Sequence, residues 1–251
     1  VDLGAGTALG EGLDTLSGIE NVRGSTGADS ILGDAQANIL DASNGNNTLS
    51  GAAGNDTLIG GSDSDSVAGG LGDDSLFGGG GVDRAFYGDA SGAVTVDLVT
   101  NRATGADGND TLSSFENVQG GNFADSILGD GGANSLDGGA GDDTLAGGAN
   151  NDTLSGGLGN DSIFGGAETA DWVSYASAAG GVTIDLVAGT VSGADGNDTL
   201  SGIEIVQGGN FDDSLLGDST ANTLDGGGGR DTLSGGLAND TLAGGTNDDS
   251  L

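Results

Sequence analysis

The sequence predicts an all-β solenoid, a chain wound into stacked turns of short strands. Two observations carry this reading: a nine-residue pattern that holds its phase through most of the 251 residues, and the presence of 56 glycines with no proline. Gly69-Gly70-Leu71-Gly72-Asp73-Asp74-Ser75-Leu76-Phe77 displays the pattern in full, G-G-x-G-x-D-x-U-x, where U is a large apolar residue. One unit buries nothing alone, so a core appears only when units stack.

Each unit reads as a glycine-rich turn of six residues followed by a three-residue strand. Helix is excluded, because every glycine in a helix interior costs about 1 kcal/mol relative to alanine. The U residues, Ile31, Leu40, Leu49, Leu58, Val67, Leu76, Ile127, Leu136, Leu145, Leu154 and Ile163, are expected to point inward as a narrow aliphatic ladder. A flexible Gly/Ser linker has no reason to hold U in register over many successive units.

The units fall into three blocks, residues 24–86, 120–173 and 208–251, the last ending in a truncated unit. Related spacers occupy residues 87–119 and 174–207, and residues 1–23 resemble a spacer without its start. Each full spacer holds an alternating apolar run, Val94-Thr95-Val96-Asp97-Leu98 or Val182-Thr183-Ile184-Asp185-Leu186. It then returns to the nonapeptide at 105–113 or 193–201 and closes with a six-residue step, 114–119 or 202–207. All these stretches are expected to form one continuous solenoid. The absence of Met and the start inside a repeat mark the sequence as a window on a longer protein.

Charge narrows the function. Four Lys+Arg, all of them Arg, face 39 Asp+Glu, for a net charge of -35. Nucleic acids and anionic membranes need clustered cations, so neither is an expected partner. Such a charge also opposes compaction unless cations are supplied. Low hydrophobicity with high charge ordinarily gives disorder, but strict periodicity argues for order here. There is no Cys for a disulfide framework, which leaves a metal as the stabilising device.

The absence of His, Cys and Lys excludes Ser-His triads, thiol nucleophiles and Schiff-base lysines, and no enzyme is expected. Glu168 and Trp172, beside a unit with one extra residue (165–173), are read as marking a bulge in the solenoid rather than a catalytic or sugar-binding site. Ser and Thr alternate too irregularly for a flat ice-binding array. What remains is the turn itself. Its glycines let backbone carbonyls converge, and its sixth-position aspartate adds a hard anionic oxygen. Hard oxygens in flexible geometry, with no imidazole or thiolate, specify calcium over zinc or copper, and magnesium fits less well.

On the in-phase G-G-x-G-x-D-x-U-x units, the chain resembles the repeats-in-toxin (RTX) family. That resemblance implies an elongated, right-handed parallel β-roll in which two nonapeptides make one turn and calcium sits between like-sided loops. Sixth positions 18 apart then pair. The first block gives Asp29, Asn47, Asp65 and Asp83 on one side and Asn38, Asp56 and Asp74 on the other. The second gives Asp125, Asp143 and Asp161 opposite Asn134 and Asp152, and the third Asp213, Asp231 and Asp249 opposite Asn222 and Asp240. These pairs imply about eleven calcium ions, whose charge would cancel most of the negative excess.

Three departures bear on this set. Asn38, Asn134 and Asn222 replace the aspartate in the second unit of every block, which weakens those sites and suggests an asparagine ladder closing each block end. Asp110 and Asp198 keep the sixth position inside the spacers and join the candidate ligands. Asp171 is displaced by one residue.

The resemblance further implies folding on extracellular calcium after type I secretion, at the cell surface or outside the cell. Two roles fit. One is a rigid structural segment of a large secreted bacterial RTX protein (adhesin extender, surface layer or filament) with end-to-end or lateral self-association into fibres. The alternative is a calcium-dependent C-terminal secretion and folding module of an RTX enzyme or toxin.

Overall fold

The structure is a computed structural model that describes residues 1–10, 12–167 and 170–251. The expectation for Glu168 lies outside the described residues. The chain forms two compact units, Val1–Gly121 and Asn122–Leu251. Both are parallel β-solenoids, and among the described residues there is no helix.

In the first unit, successive nonapeptides alternate between two sheets. One sheet runs Ser30–Leu32, Thr48–Ser50, Ser66–Ala68, Arg84–Phe86 and Asn117–Gln119. The other runs Asn21–Arg23, Ile39–Asp41, Thr57–Ser62, Ser75–Gly80 and Gly108–Ser113. The register is the sequence period doubled: Leu40 pairs with Leu58 and Leu58 with Leu76, while Ile31 pairs with Leu49 and Leu49 with Val67. Two nonapeptides therefore make one turn. The second unit repeats the plan, with Leu136 on Leu154 in one sheet and Ile127 on Leu145 on Ile163 in the other.

Every U residue predicted to point inward is at most 2% exposed. Between the two sheets they form a narrow core, with one aliphatic ladder from each sheet. The turns pack just as tightly. Gly72 adopts φ 133°, and a Cβ there would strike the carbonyl of Gly54, one turn below. A side chain at that position is excluded by both sterics and backbone conformation.

Two features depart from the expected plan. Some strands run past three residues into the following glycines, as in Thr57–Ser62 and Ser135–Ala140, so that Gly61 pairs with Gly79 and Gly139 with Gly157. The spacers, moreover, are antiparallel. Val94–Asp97 pairs antiparallel with Arg102–Gly105, which pairs antiparallel with Gly108–Ser113, and this last strand pairs parallel with Ser75–Gly80. Thr183–Asp185, Thr190–Ser192 and Thr199–Ser201 repeat the meander in the second unit. A short reversing loop makes antiparallel neighbours the natural outcome for strands so close in sequence.

The irregular unit at 165–173 keeps its register, with Thr153 on Trp172 and Leu154 on Val173. The strand Trp172–Ser174 itself is not bulged.

Leu58 is fully buried between Leu40 and Leu76. Leu58→Ala should lower stability by about 2–5 kcal/mol. Urea unfolding in saturating calcium measures this, and a loss below about 1 kcal/mol would contradict this narrow core.

Candidate metal centres

The sixth position of each unit lies just before the strand, with its side chain turned into the stack. From there each side chain reaches back one turn. Asp74 Oδ1 accepts the backbone N–H of Asp56 at 2.8 Å, and Asp56 Oδ1 accepts that of Asn38 at 2.7 Å. On the other side Asn47, Asp65 and Asp83 accept from Asp29, Asn47 and Asp65. In the second unit Asp143 accepts from Asp125, Asp161 from Asp143, and Asp152 from Asn134. Asp231, Asp249 and Asp240 accept from Asp213, Asp231 and Asn222. All the pairs expected from the 18-residue spacing are therefore adjacent. Asp29, Asp240 and Asp249 are half-buried and the remainder are buried.

The rung uses one carboxylate oxygen and leaves the other. Oδ2 of Asp56, Asp65, Asp74, Asp83, Asp143, Asp152, Asp161 and Asp231 is buried with no hydrogen-bond partner. A backbone carbonyl converges on the same place. A Cβ added to Gly51 would strike both Asp56 Oδ2 and the Gly69 carbonyl, and one added to Gly60 would strike Asp65 Oδ2 and the Gly78 carbonyl. Gly138 stands in the same relation to Asp143 and Gly156.

Asn47 is the built-in control. Its Nδ2 donates to the carbonyl of Gly60 at 3.4 Å and to that of Gly45 at 2.7 Å. With Asn47, an N–H donor meets the carbonyl. With aspartate, two oxygens meet, and a cation, or a proton on the carboxyl, is needed to satisfy both. The first position of this unit is Ala42 and not glycine.

These residues fit calcium: hard oxygens, a mixture of buried carboxylate and converging backbone carbonyl, and no nitrogen or sulfur ligand. Among the described residues no three acidic side chains meet at one point, so backbone carbonyls must complete any coordination shell. Bound there, calcium would supply the positive charge that joins one turn to the next.

The period marks Asp110 and Asp198 as candidates, but their ladder partners, and the rungs made by Asp171, Glu116 and Glu204, are not legible from it. Asp110 Oδ1 accepts the N–H of Asp74 across 36 residues, and Asp198 that of Asp161 across 37, because the spacer meander lies between them. Asp171, displaced by one residue, re-enters the ladder by accepting from Asp152 N–H at 2.9 Å. Glu116 and Glu204 then take the next rung, accepting from Asp83 and Asp171. Both spacers keep this glutamate third in the six-residue step, a signal present in Ser114–Gln119 and Gly202–Gln207 alike.

The asparagines at second units do not stack on one another. Asn38, Asn134 and Asn222 each turn Oδ1 back to their own loop, accepting the N–H of Asp34, Asp130 and Asp218. The fifth position, free in the sequence pattern, carries an exposed second ladder. Asn55 accepts from Asp73 and Asp73 from Asn109, in the opposite direction to the inner one.

Burial raises the inner carboxyls, and neighbouring carboxylates add to the effect against the lowering influence of the rung hydrogen bond. Asp56, Asp152 and Asp161 rise to about 6 and Asp143 to about 7. A folded-state value raised above the unfolded one means the metal-free fold binds protons more tightly than the unfolded chain. That contribution is fully present below about pH 4 and is lost as pH rises through about 6–7. Calcium-stripped protein should therefore have more β-structure by circular dichroism at pH 4.5 than at pH 7.5. Equal or smaller β-content at pH 4.5 would contradict the burial of these groups.

The RTX calcium-binding nonapeptide repeat (4 copies) matches residues 14–49, 50–85, 113–145, 137–168, 189–202, 201–233 and 216–251. No curated protein gives a significant match. The matched segments cover most of the chain and take in the nonapeptide rungs of all three blocks, while Asp110 and Asp171 lie outside them. The chain belongs to the RTX calcium-binding nonapeptide repeat family.

Proposed function

We propose that the chain is a calcium-binding structural segment of a large secreted bacterial RTX protein, an adhesin extender, surface-layer or filament component that stiffens on meeting extracellular calcium. The observation that carries this reading is the row of buried Oδ2 atoms without partners, each opposed by the stacking period to another turn. Each is a destabilising defect without a cation and a joint between turns with one.

The same row supports the mechanism. In the cytosol, where calcium is scarce, stacked carboxylates repel and a narrow aliphatic core does not offset the entropy of ordering the chain. Outside, where modules of this kind bind calcium at about 10⁻⁴–10⁻³ M, ligation drives folding. That order of events suits export of an unfolded chain by type I secretion.

Fibre formation by end-to-end or lateral self-association belongs to the same reading.

A calcium titration followed by circular dichroism tests it. The expected result at pH 7.5 is a disordered spectrum in chelator and a cooperative rise of β-signal between about 10⁻⁴ and 10⁻³ M calcium. Full β-structure in excess chelator at that pH would overturn calcium-driven folding.

A further inference from the structure

Two ladder aspartates are met by a tyrosine, whereas Asp29 and Asp213 turn Oδ2 to a backbone N–H of their own loop. Asp110 and Asp198 offer Oδ1 to the turn below like every other rung. Their Oδ2 atoms, however, are not orphaned. The Tyr87 hydroxyl donates to Asp110 Oδ2 at 3.0 Å, and the Tyr175 hydroxyl to Asp198 Oδ2 at 2.7 Å. These are the only two tyrosines in the chain, and each stands 23 residues before its aspartate.

Both tyrosines are fixed by backbone as well as side chain. Tyr87 N–H donates to the Gln119 carbonyl and Tyr175 N–H to that of Gln207, at the end of the six-residue step. Both hydroxyls hold their protons far more tightly than a free phenol, through burial and the adjacent carboxylate.

The position of these aspartates in their ladders matters. Asp198 N–H does not pass to a further carboxylate; it donates to the Val191 carbonyl within the spacer meander. Asp213, which begins the next run, accepts instead from Val182 N–H. The second-unit ladder of Asp125, Asp143 and Asp161 thus ends at Asp198. In the first unit, Asp110 stands at the same place in the spacer, after Asp56 and Asp74.

We propose that Tyr87 and Tyr175 are built-in replacements for the cation, each hydroxyl satisfying a ladder carboxylate at the spacer so that Asp110 and Asp198 close without calcium. The neutral O–H donor occupies the oxygen that in Asp74 and Asp161 is left bare. A hydrogen bond to a buried carboxylate is a charge-assisted one, strong enough to keep that oxygen satisfied in the interior. Each full spacer thereby adds to one of the two ladders beside it a rung whose closure is independent of ion supply. This inference rests on the reading that the bare ladder oxygens hold calcium.

Counting bound calcium by equilibrium dialysis on the full chain separates the two. Asp74→Asn with Asp161→Asn should lose ions relative to wild type; if it retains the full count, the calcium reading itself fails. Asp110→Asn with Asp198→Asn should retain the wild-type count, and any loss of ions overturns the latch while leaving the calcium reading intact. If that second variant does not fold, Tyr87→Phe with Tyr175→Phe decides the matter. At saturating calcium it should melt below wild type, because the hydroxyls still serve in the loaded protein. An unchanged melting temperature would mean that an ion holds those oxygens and would overturn the proposal.

Discussion

The whole structure depends on a divided carboxylate. In Asp56, Asp65, Asp74, Asp83, Asp143, Asp152, Asp161 and Asp231 one carboxylate oxygen accepts a backbone N–H from the turn below, as Asp74 does from Asp56, and the other is left buried without a partner. The first half sets register, because only a side chain in the right phase reaches that N–H. The second half sets a condition, since a bare buried oxygen facing a carbonyl is unfavourable until something positive arrives. Register and ion dependence therefore come from the same side chain.

The glycines follow from that division. At Gly51 and Gly60 there is no room for a Cβ, because a carboxylate oxygen and a carbonyl converge on its place. Where the sixth residue is Asn47, the amide donates to the carbonyl directly, and the unit opens on Ala42. The chain thus closes its inner rungs in three ways: a carboxylate awaiting a cation, an amide that bridges to carbonyls or its own loop, and a carboxylate held by a tyrosine. The choice between them is made residue by residue along one continuous pattern of hydrogen bonds in each unit.

Much of this was legible in the sequence. The period placed Leu40, Leu58 and Leu76 in one file and Asp56 beside Asp74, because both core and rung repeat with the turn. What the period missed lies where the period is interrupted. The antiparallel meander at Val94–Asp97 and Arg102–Gly105 is set by a short reversing loop, and alternating apolar residues look the same in parallel and antiparallel strands. Glu116 and Glu204 escaped notice because a longer side chain bridges a six-residue step that no nonapeptide template contains. Tyr87 and Asp110 are joined by a fold-back of 23 residues, visible only when the two spacers are laid side by side. Asp171 shows the converse: one inserted residue shifts the sequence phase, but the rung still forms.

The most direct test of the central claim is a calcium-soaked crystal of the chain examined by anomalous scattering. Ions at Asp56 Oδ2 and Asp143 Oδ2, each also bound to the glycine carbonyl that faces it, are the predicted result. Ions confined to the exposed outer ladder at Asp73 and Asp142, with the inner oxygens bare, would contradict it.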